Sequence, residues 1–299
     1  MNVIEVFQSF QTQEQAVEYL EEARWHGNPI CPYCKCEDVY RHASSDRAGQ
    51  RWQCPTCTRA FSVTVGTIFH GTHVSLRNWF LVLALMLNAK KSASACQIAR
   101  DIGMRRPTVW SMMHRIRNAM AEDPEQKRLL HGIVEADETY MGGKPRKPGR
   151  PGGGDGPSKR GRGTSKTPVV GVVERGGHVV AQVADGKRDL TGKGLSNFIG
   201  KVVDVAASML MTDEYQGYRR IGSMMRHSVI KHKIRYVDGQ THTNTIEGFW
   251  SLLKRALYGQ HHHYSRKYMP LYVAEAAYKY NKRSVAEPFP GLIRAMVRA

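Results

Sequence analysis

Two closely spaced pairs of cysteines constrain the fold of this chain more than any other feature of its sequence. Cys31 and Cys34 form one Cys-X-X-Cys turn, and Cys54 and Cys57 form another. This spacing is typical of a zinc site with four thiolate ligands, and such a segment is too small to bury a core without its metal. Because thiolates fill all four positions of a tetrahedral ion, we expect the Zn²⁺ to be structural. Cys36 is a competing ligand whose spacing fits less well, and disulfides are disfavoured because nothing indicates export.

The sequence after the second cysteine pair changes to a helical pattern. Ser75 and Ser94 are suitable N-caps for two helices, and Pro107 begins a third. Gly103 provides the turn between the last two helices, as in a helix-turn-helix. A plain three-helix packing unit is the alternative. The residues expected to face the DNA major groove from the third helix are Arg105, Arg106, Thr108, Ser111 and His114. The tryptophans expected in the core are Trp79, Trp110 and Trp250.

Three acidic residues occur in patterns that favour a catalytic metal site. Asp137 and Asp213 each follow a short apolar run, as expected at strand ends, whereas Glu247 lies in a helical pattern. Such carboxylates can converge on a pair of divalent ions, and oxygen ligands suit Mg²⁺ or Mn²⁺. Lys254, two helical turns after Glu247, would contact a DNA phosphate, or else is an ordinary solvated lysine. Glu135 shares a strand face with Asp137 and is expected to be a charge at the edge of the core.

The charge balance indicates nucleic acid as the partner. Lysine and arginine number 44 against 26 acidic residues, which gives a net charge of +18. This is the electrostatic footprint of a protein that neutralises a phosphate backbone. An anionic membrane would also attract this charge, but the longest apolar run, Trp79 to Leu87, is too short to span a bilayer. The N-terminal residues lack a signal-peptide pattern, so we expect a cytoplasmic, nucleoid-associated protein without a membrane partner.

Residues 144–166 have a distinct composition, rich in glycine, proline and basic side chains. A stretch of this kind cannot fold alone. We expect a flexible loop that follows the DNA backbone, with a solvated insertion as the alternative. The basic residues assigned to DNA binding are Lys147, Arg150, Lys159 and Arg160.

The remaining pattern indicates an α/β domain. Two strands joined by a glycine turn follow the basic loop, then a helix from about Thr191 to Val203, the strand ending in Asp213, another strand and the helix of Glu247. This succession is expected of an RNase H-like sheet flanked by helices. We therefore predict three domains. They are a zinc ribbon at residues 20–66, a helix-turn-helix DNA-binding domain at 72–122 and an RNase H-like catalytic domain at 130–283.

Seven motifs in combination resemble a known family. They are CPYC, CPTC, FSVTVGTIFHGTHVSLRNWF, EADETYMGGK, TDEYQGY, HTNTIEGFWSLLKR and AYKYNKR. The chain is similar to insertion-sequence transposases with an N-terminal zinc ribbon, the ISXO-like group, over about residues 20–283. The resemblance implies a DDE-type transposase, which cuts DNA at the ends of a mobile element and joins the freed 3′ ends to new DNA.

The resemblance also implies roles for individual residues. By position, the catalytic acids of the family fall on Asp137, Asp213 and Glu247, and its basic partner falls on Lys254. Some members use an asparagine near the third acid, so Asn244, one helical turn before Glu247, is the alternative third ligand.

We therefore expect an enzyme with two catalytic Mg²⁺ or Mn²⁺ ions and a structural Zn²⁺. Its partners would be double-stranded DNA of the element ends and of the target, and bringing two ends together requires a dimer or larger assembly. A sequence-specific DNA-binding regulator that retains an inactive transposase fold is the alternative, and a nucleoid protein acting through charge alone is a third reading.

Overall fold

The computed structural model describes residues 1–42, 51–142, 166–186, 188–230 and 242–297. The chain divides into two compact units, Met1–Asp123 with Ser284–Ala299, and Pro124–Arg283. Most of the predicted basic loop lies outside the described residues. This includes the DNA-binding residues assigned to it, which are Lys147, Arg150, Lys159 and Arg160.

The first unit begins with two helices and a small antiparallel sheet. Both helices start with a capping box, in which the N-cap side chain and the side chain three residues later satisfy each other's backbone N–H groups. The strands are only two residues long, so backbone pairing alone cannot hold this sheet together. The elements are α1 (Val3–Ser9), α2 (Gln13–Trp25), β1 (Tyr40–Arg41), β2 (Trp52–Gln53) and β3 (Ala60–Phe61).

Three helices follow the small sheet, and the predicted caps are confirmed. The hydroxyl of Ser75 accepts a hydrogen bond from the N–H of Asn78, and that of Ser94 accepts one from the N–H of Gln97. Gly103 lies between the last two helices with φ of +65°, a conformation that favours glycine. The helices are α3 (Leu76–Asn88), α4 (Ala95–Asp101) and α5 (Arg106–Glu122).

The second unit contains a five-stranded sheet with β4 at its centre. The strands are β4 (Leu130–Met141), β5 (Thr167–Glu174), β6 (Val179–Val183), β7 (Val203–Thr212) and β8 (Arg226–Val229). Their order is β6-β5-β4-β7-β8. Strands β4, β5 and β6 pair antiparallel, whereas β4, β7 and β8 pair parallel. The predicted glycine-turn hairpin is found between β5 and β6. The strand predicted to end in Asp213 is also found, but it ends one residue earlier, at Thr212.

Helices pack on the two faces of this sheet because both faces are apolar. On one face, Val170 and Val172 pack with Leu195 and Phe198 of α6 (Gly192–Val202). On the other, Val169 and Val173 join a cluster formed by α7 (Asn244–Ala256) and α8 (Met269–Asn281). Alternate residues of β5 thus enter opposite cores, as the pleat of a strand requires. The mixed α/β class predicted from sequence is confirmed.

A last helix returns to the first unit. Helix α9 (Pro288–Val297) places Phe289 against Phe80 of α3, with ring centroids 5.7 Å apart. The sequence analysis assigned no role to this segment. Across the helices that the structure describes, we find none with the length and apolar character needed to cross a membrane.

Candidate catalytic and DNA-binding sites

The parallel pairing of β4 with β7 brings two of the predicted acids to neighbouring positions. The last pair in register is Glu135 with Met211, and Asp137 and Asp213 each follow two residues later. Because neighbouring strands lie about 4.8 Å apart, two carboxylates at matched positions on adjacent strands are close. Strands β4 and β7 therefore place Asp137, within β4, beside Asp213, just after the end of β7. The prediction that Asp137 lies at a strand end is wrong, because β4 continues to Met141 in its antiparallel pairing with β5.

The electrostatics of Asp137 reflect this crowding. Burial, and then the charges of Glu138 and Asp213, raise the pKa of its carboxyl to about 7. The indole N–H of Trp250 donates to Oδ2 of Asp137 at 3.0 Å, which offsets part of the effect. A divalent cation relieves repulsion between carboxylates, and oxygen ligands are those that Mg²⁺ and Mn²⁺ prefer. This donor set fits such an ion.

Glu247 lies in the first turn of α7, and its side chain is exposed. Its Oε1 accepts a hydrogen bond from the hydroxyl of Thr243 at 3.1 Å. Asn244 is also exposed, one turn earlier, and Lys254 is half-buried in the last turn of the same helix. Among the described residues, Asp137, Asp213 and Glu247 do not form a group whose ligand atoms all lie within 4.8 Å of one another.

Glu138 also belongs to this region, although the sequence analysis missed it. The hydroxyl of Tyr218 donates to its Oε2 at 3.0 Å, and burial raises the pKa of the Tyr218 hydroxyl well above its usual value. Tyr218 follows Asp213 closely in the chain, and the N–H of Tyr215 donates to Oδ1 of Asp213 at 3.0 Å. The signal was the run of three acids in the sequence EADE, because charged residues are rare in the interior of a strand that packs on both faces.

The four predicted zinc ligands come together in the first unit. Their ligand atoms all lie within 4.8 Å of one another, with sulfur separations of 3.6 Å for Cys31 and Cys57 and 3.5 Å for Cys34 and Cys54. Bonds near 2.3 Å to a tetrahedral ion place sulfur atoms about 3.8 Å apart, so these positions fit Zn²⁺. Cys36 is outside this group, and its sulfur accepts a hydrogen bond from the Thr56 hydroxyl at 3.2 Å.

The outward face of α5 differs from the prediction at two residues. Arg105, Arg106 and Ser111 are exposed, and Thr108 is partly exposed. The predictions that His114 faces outward and that Trp110 is in the core are both wrong. His114 is 7% exposed and Trp110 is 38% exposed.

The two corrections have one cause. The indole of Trp110 covers the imidazole of His114, with ring centroids 3.9 Å apart, and Nδ1 of His114 lies 2.9 Å from the Trp110 carbonyl oxygen. The larger ring therefore takes the outer position, and the histidine is buried beneath it. Trp79 and Trp250 are buried as predicted.

Comparison with known proteins gives two matches to family profiles. Residues 129–281 match the ISXO2-like transposase domain, and residues 11–60 match a transposase zinc-ribbon domain. A protein of the transposable element ISH50 of Halobacterium salinarum is 31% identical over 261 residues, which covers 83% of this chain and 84% of that protein.

Solved structures give remote similarities. The Mos1 strand transfer complex aligns with 71% of this chain and 76% of the Mos1 chain, at 14% identity and a TM-score of 0.30. A pre-cleavage Mos1 transpososome aligns with 99% of this chain and 95% of the other, at 12% identity and a TM-score of 0.30. TM-scores this low carry no argument, so the family assignment rests on the sequence matches. On those matches, the chain belongs to the family of the ISXO2-like transposase domain.

Proposed function

We propose that this protein is a DNA transposase of the DDE type, with Asp137, Asp213 and Glu247 as ligands of Mg²⁺ or Mn²⁺. One observation carries the proposal. Two adjacent parallel strands bring Asp137, within β4, beside Asp213, just after β7, and burial and the charges of Glu138 and Asp213 raise the pKa of Asp137 to about 7. A pair of carboxylates that repel one another inside a protein is costly unless a cation joins them.

The reaction proposed is phosphoryl transfer. Water attacks a phosphodiester at the element end and releases a 3′ hydroxyl, which then attacks a phosphodiester of the target DNA. Bound divalent ions would supply activation of the attacking oxygen and stabilisation of the leaving one. The protein's own part is to hold the carboxylates on the neighbouring strands of a rigid sheet and to orient the DNA.

Glu247 and Lys254 contribute from the same helix. They lie about two turns apart, so their side chains project from one side of α7. We propose that Lys254 contacts a phosphate of the DNA being cut. Glu247 is the stronger third ligand than Asn244, because only a carboxylate adds negative charge opposite a divalent pair.

DNA recognition is assigned to the first unit. A zinc ribbon held by Cys31, Cys34, Cys54 and Cys57 would be structural, and α4 with α5 would form a helix-turn-helix. Exposed Arg105 and Arg106 at the start of α5 support this, since cations at the entry of a recognition helix bind phosphates. Two element ends must be held at once, so we propose a dimer or larger assembly on DNA.

The test is cleavage of duplex DNA that carries the sequences flanking the gene. Wild-type protein should nick this DNA in Mg²⁺, whereas Asp137→Asn, Asp213→Asn and Glu247→Gln should bind the DNA without nicking it. Losses of activity from single catalytic groups are commonly several orders of magnitude. Asn244→Ala should cost less.

Two outcomes would contradict parts of this assignment. If Glu247→Gln nicks normally and Asn244→Ala is inactive, the third ligand lies one turn earlier on α7. If wild-type protein binds the flanking sequence specifically but never nicks it, the alternative of a regulator with an inactive transposase fold is favoured.

A further inference from the structure

Glu135 occupies a position that its sequence did not predict. Expected at the edge of the core, its side chain has no solvent exposure. It lies two residues before Asp137 on β4, so both side chains project from the same face of the sheet. Burying a carboxylate is costly unless hydrogen bonds and an opposite charge compensate it, so its partners reveal what it does.

The main partners of Glu135 are at the start of α7. Its Oε2 accepts from the backbone N–H groups of Thr245 at 2.8 Å and Ile246 at 3.0 Å, and its Oε1 accepts from the Thr245 hydroxyl at 2.9 Å. These N–H groups belong to the first turn, whose donors have no partner inside the helix. The N-cap residue Thr243 makes no side-chain capping bond. A carboxylate from a distant strand therefore takes the place of the N-cap side chain.

Arg175 completes this arrangement. Its Nε donates to Oε1 of Glu135 at 2.6 Å, and its Nη2 donates to the carbonyl oxygen of His242 at 3.0 Å. The arginine thus neutralises the buried carboxylate and also holds the segment that leads into α7. The position of the helix N-terminus is fixed by contacts with β4 and with the residue that follows β5.

A second contact fixes the rotation of α7. The indole N–H of Trp250 donates to Asp137, and the indole ring lies over Gly171 of β5, where a Cβ atom would come within 2.7 Å of it. Helix α7 is therefore joined to β4 at two residues of one strand face, Glu135 and Asp137. Glu247 lies between these two attachment points along the helix.

We propose that Glu135 is a positioning residue that sets the place of Glu247 relative to Asp137 and Asp213. This inference rests on the metal site proposed above. Glu135 itself touches neither metal nor DNA in this scheme; it acts by holding the helix that carries the third ligand. Removing groups that orient metal ligands commonly costs about 10–100-fold in metal affinity or activity.

The experiment compares Glu135→Gln with Glu174→Gln in the full-length, zinc-loaded protein. Glu174 is a matched control, because its Oε2 accepts from Arg128 Nη2 at 2.6 Å, and its described side-chain partners, Arg128 and His131, lie outside α7. Mn²⁺ affinity is measured by calorimetry, taking as site-specific the binding that Asp137→Asn removes. We expect Glu135→Gln to weaken this affinity roughly 10–100-fold, with slower DNA cleavage that higher Mn²⁺ partly restores. Glu174→Gln should leave Mn²⁺ affinity unchanged even if it lowers stability.

A milder pair of variants covers the case in which Glu135→Gln does not fold. Thr245→Val removes one hydrogen bond to Glu135 and should weaken Mn²⁺ binding, whereas Thr245→Ser keeps the hydroxyl and should behave as wild type. The positioning role is overturned if Glu135→Gln binds Mn²⁺ as tightly as Glu174→Gln, or if Thr245→Val binds it as tightly as Thr245→Ser. If the wild-type protein still binds Mn²⁺ and cuts DNA in that case, the proposed function stands. A wild-type protein that neither binds Mn²⁺ at this site nor cuts DNA would overturn the proposed function together with it.

Discussion

At the scale of single residues, Asp137 combines a proposed catalytic role with several interactions inside the protein. It is a proposed metal ligand, it accepts the Trp250 indole N–H, and it faces the charges of Glu138 and Asp213. Burial and these charges favour its neutral form. A carboxylate whose ionised form is disfavoured in the folded protein lowers the stability of that protein when no cation is bound. Such residues are typical of functional sites.

Replacing this charge should stabilise the metal-free protein. The folded-state pKa of about 7 lies above the value near 3.9 expected in the unfolded chain, so ionised Asp137 opposes folding. Asp137→Asn should therefore raise the free energy of unfolding in EDTA at pH 8, by about 4 kcal/mol. The gain should shrink as pH falls from about 7 to about 4 and vanish below. Urea titrations at several pH values measure it, and a gain independent of pH would contradict this account.

Gly171 is a second residue with a steric requirement. A Cβ there would lie 2.7 Å from the Trp250 ring, so Gly171→Ala should displace the indole and destabilise the second unit by about 1–3 kcal/mol. Gly248→Ala is the control, because it lies in α7 with no atom within 4 Å of an added Cβ. That change should stabilise the helix by about 0.5–1 kcal/mol. Thermal unfolding of both variants tests the contrast, and equal effects would refute it.

At the scale of elements, β4 organises the proposed catalytic site. Its residues Glu135 and Asp137 bind α7, and Glu138 binds Tyr218, which follows β7. The three acids of the sequence EADE thus connect the central strand to the two elements that carry Asp213 and Glu247. We expect the small sheet of the first unit, whose strands are two residues long, to depend on its four cysteines.

Removing one cysteine should test that dependence. We expect purified protein to contain one tightly bound Zn²⁺ per chain, and Cys54→Ser should unfold residues 20–66 while the second unit stays folded. Limited proteolysis would show cleavage confined to the ribbon, and metal analysis would report the zinc. Freshly purified protein without zinc would end this interpretation.

Local patterns predicted the elements better than their contacts. Ser75 and Ser94 identified helix starts because a cap is a short-range signal, and apolar runs located β4 and β7. The end of β4 was not located, because β4 continues past Asp137 to Met141 through its pairing with β5. The reversed burial of Trp110 and His114 was not predictable from the sequence. Helical periodicity places both residues on the same side of α5 and does not determine which ring covers the other. The capping of α7 by Glu135 joins residues far apart in sequence, and no local pattern reports it.

At the scale of the whole molecule, the net charge of +18 is unevenly distributed. Residues 144–166 carry eight basic side chains and one acid, and we propose that this segment follows the DNA backbone.

Deleting residues 146–163 tests the role of this segment. If its lysines and arginines neutralise phosphates, the variant should bind every DNA sequence more weakly, and its affinity should depend less steeply on salt, by about 0.9 per lost phosphate contact. Binding measured at several salt concentrations, on specific and unrelated duplexes, gives the slope. An unchanged slope would make the segment a passive insertion.

The return of α9 to the first unit bears on how the protein is made. During synthesis, the first unit acquires α9 last, because residues 288–297 leave the ribosome only after the whole of Pro124–Arg283. The second unit, by contrast, is contiguous and can fold as soon as it emerges. A chain cut short by a premature stop after residue 283 would thus keep its sheet and acids but lack a helix of the unit assigned to DNA recognition. A truncated protein of this kind would contain the proposed catalytic site, but the unit proposed to recognise DNA would be incomplete. We therefore expect it to bind the element ends poorly.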